Sequence, residues 1–122
     1  MTLADRRLAE RRGHDAERRA VWLLRLKGYR ILARRFRVPS GEIDLIARRG
    51  KVLVAIEVKT RADFATAAEA VLAQQRRRIA RALQHFRARN PRLAELDCRF
   101  DVVMVVPGRW PRHLPNAWQG DF

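Results

Sequence analysis

The chain has 122 residues, with 27 Lys+Arg against 13 Asp+Glu and a formal net charge of +14. At 48% hydrophobic it can build one core, which excludes a disordered basic tail. Cys98 is the single cysteine, which excludes an intrachain disulfide or a Cys-rich zinc site, and no apolar run nears the ~20 residues of a membrane span.

The N-terminus runs straight into charge at Asp5, Arg6 and Arg7, without the apolar core of a signal peptide. With a lone cysteine, a reducing cytoplasm is the expected compartment. The cation excess points to a polyanionic partner, most simply nucleic acid, and no membrane association is expected. Residues 1–37 hold 12 cations against 4 anions, so most of the excess sits there. Arg6-Arg7, Arg11-Arg12 and Arg18-Arg19 fit either a solvated helix face or a nucleic-acid contact.

In chain order, residues 14–27 read as a helix, with Ala16, Ala20, Leu23 and Leu24 at helical spacing and Gly28 as its stop. Residues 29–37 read as a strand with a basic edge, followed by a turn at Pro39-Ser40-Gly41. Residues 42–47 alternate, and Arg49-Gly50 suits a tight hairpin turn into a Val- and Ile-rich strand over 51–60. A long helix is predicted over 67–89, with Ala68, Val71, Leu72, Ile79, Ala82, Leu83 and Phe86 as its buried stripe. Asn90-Pro91 ends it, and 99–106 reads as a strand covered on both faces. The expectation is one α/β domain over 1–122 with a small mixed sheet flanked by helices, a basic N-terminal arm over 1–12 and an irregular Pro-rich tail over 107–122.

The hairpin carries acids where buried strands rarely do: Glu42, Asp44 and Glu57, with Lys59 two residues on. With Arg49-Gly50 as the turn, Asp44 lies opposite Ala55 and Glu42 opposite Glu57. Alternation then puts Glu42, Asp44, Ala55, Glu57 and Lys59 on one face, with Asp44 and Glu57 as diagonal neighbours. Two such carboxylates can share one hard cation, and magnesium takes one or two carboxylates plus substrate phosphate. Spacing alone leaves two readings open: a metal site, or a cross-strand network of acids with Lys59 and arginines. Glu17 shares a helical arc with Ala20, Val21 and Leu24 and so faces the domain body; by itself it reads as a rim acid paired with an arginine. Gln75, between Leu72 and Ile79, is placed either to satisfy backbone or to reach substrate. Asp101 reads as an ion-pair partner of Arg99.

Other chemistries fit poorly. Ser40 is the only serine, the six glycines are isolated, and His14, His85 and His113 read as scattered surface or helix-end residues. Trp22, Trp110 and Trp118 could stack on bases, although Trp22 and Trp118 read more simply as packing anchors.

Gly41-Glu42-Ile43-Asp44-Leu45-Ile46-Ala47 followed by Glu57-Val58-Lys59-Thr60-Arg61 resembles the hallmark of the YraN-like bacterial proteins. Ala16-Glu17 with Ala20, then Gly28-Tyr29, resembles that family's opening helix; Arg99-Phe100-Asp101-Val102-Val103 its last strand; His113-Leu114 and Asn116-Ala117-Trp118 its closing segment. The resemblance spans about residues 13 to 118. The family is similar to the restriction-endonuclease-like PD-(D/E)XK nucleases, whose αβββαβ core is the order read above. That resemblance implies Asp44 and Glu57 as metal-binding acids, Lys59 as the catalytic lysine, Glu17 as the first-helix acid and the Val58 backbone carbonyl as a further metal ligand. Mg²⁺ or Mn²⁺ is the implied cofactor. Ile43 stands where the superfamily has Pro, Ala55 where Phe is frequent, Ala65 where Gly is usual and Gln75 where the family often has Lys.

The resulting expectation is a metal-dependent nuclease acting on DNA rather than RNA, including a branched or repair intermediate. Arg61, Arg37, Arg18 and Gln75 would hold the nucleic acid, and a homodimer with facing clefts would suit duplex cutting. The alternative is a non-catalytic nucleic-acid-binding or ribosome-associated basic module that retains the fold.

Overall fold

Thr2 starts the first helix with a reciprocal capping box: its hydroxyl accepts from the Asp5 N–H and the Asp5 carboxylate accepts from Thr2. The computed structural model describes residues 2–62 and 73–118, and in it α1 runs Leu3–Leu26. The helix therefore begins at Leu3 rather than at residue 14, and most of the expected N-terminal arm is helical. Periodicity missed this because, among the residues whose burial is described, the first buried one is Ala16; Leu3 and Leu8 are exposed. Gly28, at φ 88°, lets the chain turn out of α1, with the Tyr29 N–H donating back to the Leu24 carbonyl at 2.9 Å.

Four strands and a second helix follow in the expected order: β1 (Arg30–Val38), β2 (Gly41–Arg49), β3 (Val52–Thr60), α2 (Ala73–Arg89) and β4 (Asp97–Val105). The N-terminal part of the long predicted helix, residues 67–72, lies outside the described residues, as does Ala65. A short 3₁₀ turn at Pro91–Leu93 links α2 to β4. The tail is not irregular: β5 (Arg112–Trp118) pairs antiparallel with β4 and completes a five-stranded mixed sheet in the order β1-β2-β3-β4-β5. Pro115 hid this strand; an edge position tolerates a residue without an N–H.

The helices cover opposite faces of the sheet. α1 packs Ala20, Val21 and Leu24 against Leu45, Val54, Ile56 and Val103. On the other face α2 packs Ile79, Leu83 and Phe86 against Ile43, Leu53, Phe100 and Met104. Trp118 is buried and stacks on Phe100 at 5.3 Å, a packing anchor as expected. Trp22 is not: it is 60% exposed.

Asp101, fully buried in β4, ties the tail down. Its carboxylate accepts two 2.8 Å bonds from Arg99, one from the Asn116 N–H at 2.8 Å, and pairs with His113 Nε2 at 2.6 Å. The Arg99 pairing matches the sequence reading. His113 departs from it, since its side chain is buried against this carboxylate. Burial alone would raise the Asp101 carboxyl; the bonds from His113, Arg99 and Asn116 outweigh it and hold the group below the usual range.

Candidate metal and phosphodiester site

The α2-facing row of β3 is Leu53 and Ala55, both buried in the core, and then Glu57 and Lys59. An apolar row thus becomes an ionic one where the sheet leaves the core. The turn between β2 and β3 is Gly50-Lys51, with Gly50 at φ 60° and Arg49 paired to Val52. The register is therefore two residues away from the expected one. A shift of two preserves facing, so the acids still share a face. It changes their relation: Asp44 meets Glu57 across the strands rather than diagonally, and Glu42 pairs with Arg37 of β1 instead of Glu57.

Paired register between β2 and β3 runs as far as Leu45 and Ile56. Beyond it side chains take over from the ladder. Asp44 Oδ2 accepts the Val58 N–H at 2.8 Å, and Glu57 Oε1 lies 3.5 Å from the Asp44 N–H. A residue in an extended strand presents its N–H and C=O along the same edge, so the Val58 carbonyl also faces the gap held by Asp44.

Asp44, Val58, Glu57 and Lys59 line a cleft of about 550 Å³, closed from the helix side by Gln75, Gln74 and Arg78. Gln75 Nε2 lies 3.4 Å from Glu57 Oε2. Gly41 explains how closely α2 approaches. A Cβ at that position would fall 2.8 Å from the Arg78 carbonyl carbon and nearer still to its oxygen. Only a residue without a side chain lets the helix backbone sit on the start of β2.

Burial dominates the electrostatics. Glu57 is 3% exposed, and its carboxyl is pushed up to about 9, first by desolvation and then by the Asp44 charge beside it. Asp44 is raised too, again chiefly by burial, although the Val58 N–H opposes the shift. Without a cation, the pair holds a proton at neutral pH.

Of the other expected site residues, Glu17 is placed at the edge of this region. Its carboxylate accepts from Arg35 Nε at 2.9 Å, the arginine pairing its helical position suggested, and its charge acts on Asp44. Arg37 bonds Glu42 at 3.1 Å, at the rim. Arg61 turns its guanidinium to the Thr60 carbonyl at 2.7 Å. Arg18 is not brought to the cleft. It lies on the outer side of α1, 3.9 Å from Asp15, because the helix buries the opposite arc. Arg78, which the sequence places in a basic cluster with Arg76, Arg77 and Arg81 on the outer face of a helix, instead lines the cleft; Gln74 was missed, and its place one residue before Gln75 on α2 was the available signal.

The donor set fits a hard divalent cation. Two carboxylates and one carbonyl offer only oxygen, and burial, the chief cause of the raised carboxyl values, leaves the two acids favouring a neutralising partner. Among the described residues, no group of three or more His, Cys, Asp or Glu side chains forms a metal cage.

Fold and cleft together define a small α/β protein with two cross-strand carboxylates and a lysine at the open end of a mixed sheet. The chain belongs to the uncharacterised protein family UPF0102, whose model matches residues 16–105. It is 57% identical over 111 residues to a UPF0102 protein of Parvibaculum lavamentivorans, covering 91% of this chain and 84% of the relative. A UPF0102 protein of Methylorubrum extorquens is 51% identical over 116 residues, covering 95% and 91%. One from Brucella canis is 52% identical over 110 residues, covering 90% and 87%. Among the described residues, no helix is long and apolar enough to cross a membrane.

Proposed function

We propose that the cleft is a Mg²⁺- or Mn²⁺-dependent phosphodiesterase centre acting on DNA. The observation that carries this reading is a pair of carboxyls, half-buried Asp44 and buried Glu57, set against each other where the β2–β3 ladder ends. Asp44, Glu57 and the Val58 carbonyl would hold the cation. When bound, it would supply positive charge to a phosphate in the cleft and acidify a water there.

The chain's own residues supply the rest. Lys59, two residues after Glu57 on the same face, reaches a phosphate oxygen or the attacking water. Gln75 orients the Glu57 carboxyl from above. Arg78 and the rim arginine Arg37 give the nucleic-acid backbone its counter-charge, with Arg61 beyond the end of β3. Glu17 keeps Arg35 neutralised and adds negative charge near Asp44.

A cleavage panel tests the reading. Single-stranded, duplex, flap and four-way DNA are incubated with Mn²⁺, using native protein and Lys59→Ala. Metal-dependent cleavage of at least one form, reduced 100-fold or more in the variant, is expected. No cleavage of any form, or equal cleavage by the variant, would leave a binding module that retains the fold.

A further inference from the structure

On the α1 side of the sheet, away from the acidic cleft, the structure displays aromatic rings in water. Trp22 is 60% exposed, Leu26 72% and Trp110 77%. They are not scattered. Trp22 and Leu26 lie one helical turn apart on α1, and the β4–β5 loop brings Trp110 alongside them. Together with Arg19 and Arg109 they line a groove of about 550 Å³.

A hydrogen-bonded turn carries the loop. The Arg109 N–H donates to the Val106 carbonyl at 3.1 Å across Pro107-Gly108, with Gly108 at φ 73°. Proline followed by a positive-φ glycine is the pattern of a type II turn, which sets the direction of the backbone leading into Trp110.

Charge selects the occupant. Among the described residues, the groove's charged lining is Arg19 and Arg109, with no acid. Along α1, Arg18 and Arg11 continue from Trp22 at helical spacing, with the acids Asp15 and Glu10 beside them. Flat π-faces beside guanidinium groups suit a ligand that carries bases and phosphates together. A duplex hides its base faces, whereas a single strand offers them.

We propose that this groove is a stacking platform for the unpaired bases of single-stranded DNA, with Trp22 and Trp110 taking the bases and the α1 arginines following the phosphates. It is a second nucleic-acid surface, on the opposite side of the sheet from the cleft, and needs neither metal nor cleavage.

Binding measured in EDTA separates it from catalysis. Native protein and a Trp22→Ala/Trp110→Ala double variant are titrated with a dT 12-mer, an abasic 12-mer of equal charge and poly-glutamate, following tryptophan emission and anisotropy. The exposed positions leave folding unchanged, which circular dichroism checks. We expect the dT 12-mer to quench native emission and to bind at least tenfold more tightly than the abasic strand; the double variant should lose that advantage. Equal binding of abasic and dT strands, or poly-glutamate binding as tightly as dT, would overturn the proposal. So would a native dimer that the double variant converts to monomer with its dT affinity intact, since the groove would then be a contact between copies.

Discussion

Asp44 and Glu57 complete each other's strand. The Asp44 carboxylate accepts the Val58 N–H at 2.8 Å, while the Glu57 carboxyl lies 3.5 Å from the Asp44 N–H. The two acids thus end the β2–β3 ladder with side chains and open the gap where a cation would sit. Holding them there costs stability in the metal-free protein, because Glu57 is buried with half-buried Asp44 beside it.

The first prediction follows from that cost. The Glu57 carboxyl lies at about 9 in the folded chain against an ordinary 4.5, so the folded state keeps a proton that the unfolded state has released. Stability of metal-free protein should then be highest near pH 5 and fall as the pH rises toward 9. Glu57→Gln removes the larger part of this dependence, leaving that of the Asp44 carboxyl, which burial also raises. In EDTA the two proteins should melt alike near pH 5 and diverge above it, with the variant about 4 °C or more higher at pH 8. Thermal melts across pH check this; parallel curves would contradict it.

The Asp101 network gives an opposite sign. Its carboxyl is held below the ordinary value, so the stability it contributes is full above about pH 4 and is lost as pH falls through the folded value. Asp101→Asn would leave Arg99 and His113 without their buried acceptor. We expect a loss of about 3 kcal/mol, read from urea unfolding, with β5 amides exchanging fastest.

Gly41→Ala tests the close approach of α2. The added Cβ meets the Arg78 backbone, which cannot swing aside as a side chain would. Destabilisation of about 1–3 kcal/mol is expected. Because Gln75 and Arg78 move with the helix, any cleavage activity should fall further than stability alone explains. Urea midpoints and turnover measured together separate the two effects.

Much of this was legible in the chain. Helical spacing placed α1 and α2, alternation placed β2, and β3 and β4 were legible as continuous Val- and Ile-rich runs buried on both faces. The acids stood out because polar residues interrupt an apolar strand row only where something pairs with them. The hairpin turn was misplaced by one residue, at Arg49-Gly50 rather than Gly50-Lys51. That slid the register by two and kept every side chain on its proper face. β5 was not legible, since its anchor is the set of bonds from His113 and Asn116 to Asp101, which no periodicity encodes. The start of α1 was written in Thr2 and Asp5, a capping signal that the lack of a buried stripe before Ala16 obscured.

The central claim is that Asp44 and Glu57 form one cation site, and calorimetric titration with Mn²⁺ tests it most directly. Native protein is titrated at pH 7 in two buffers of different ionisation enthalpy, beside Asp44→Asn. Because the pair holds a proton that a cation must displace, native protein should bind Mn²⁺ and release about one proton per ion, and Asp44→Asn should bind at least tenfold more weakly. Native protein that binds no Mn²⁺, or a variant with the same affinity and proton release, would contradict it.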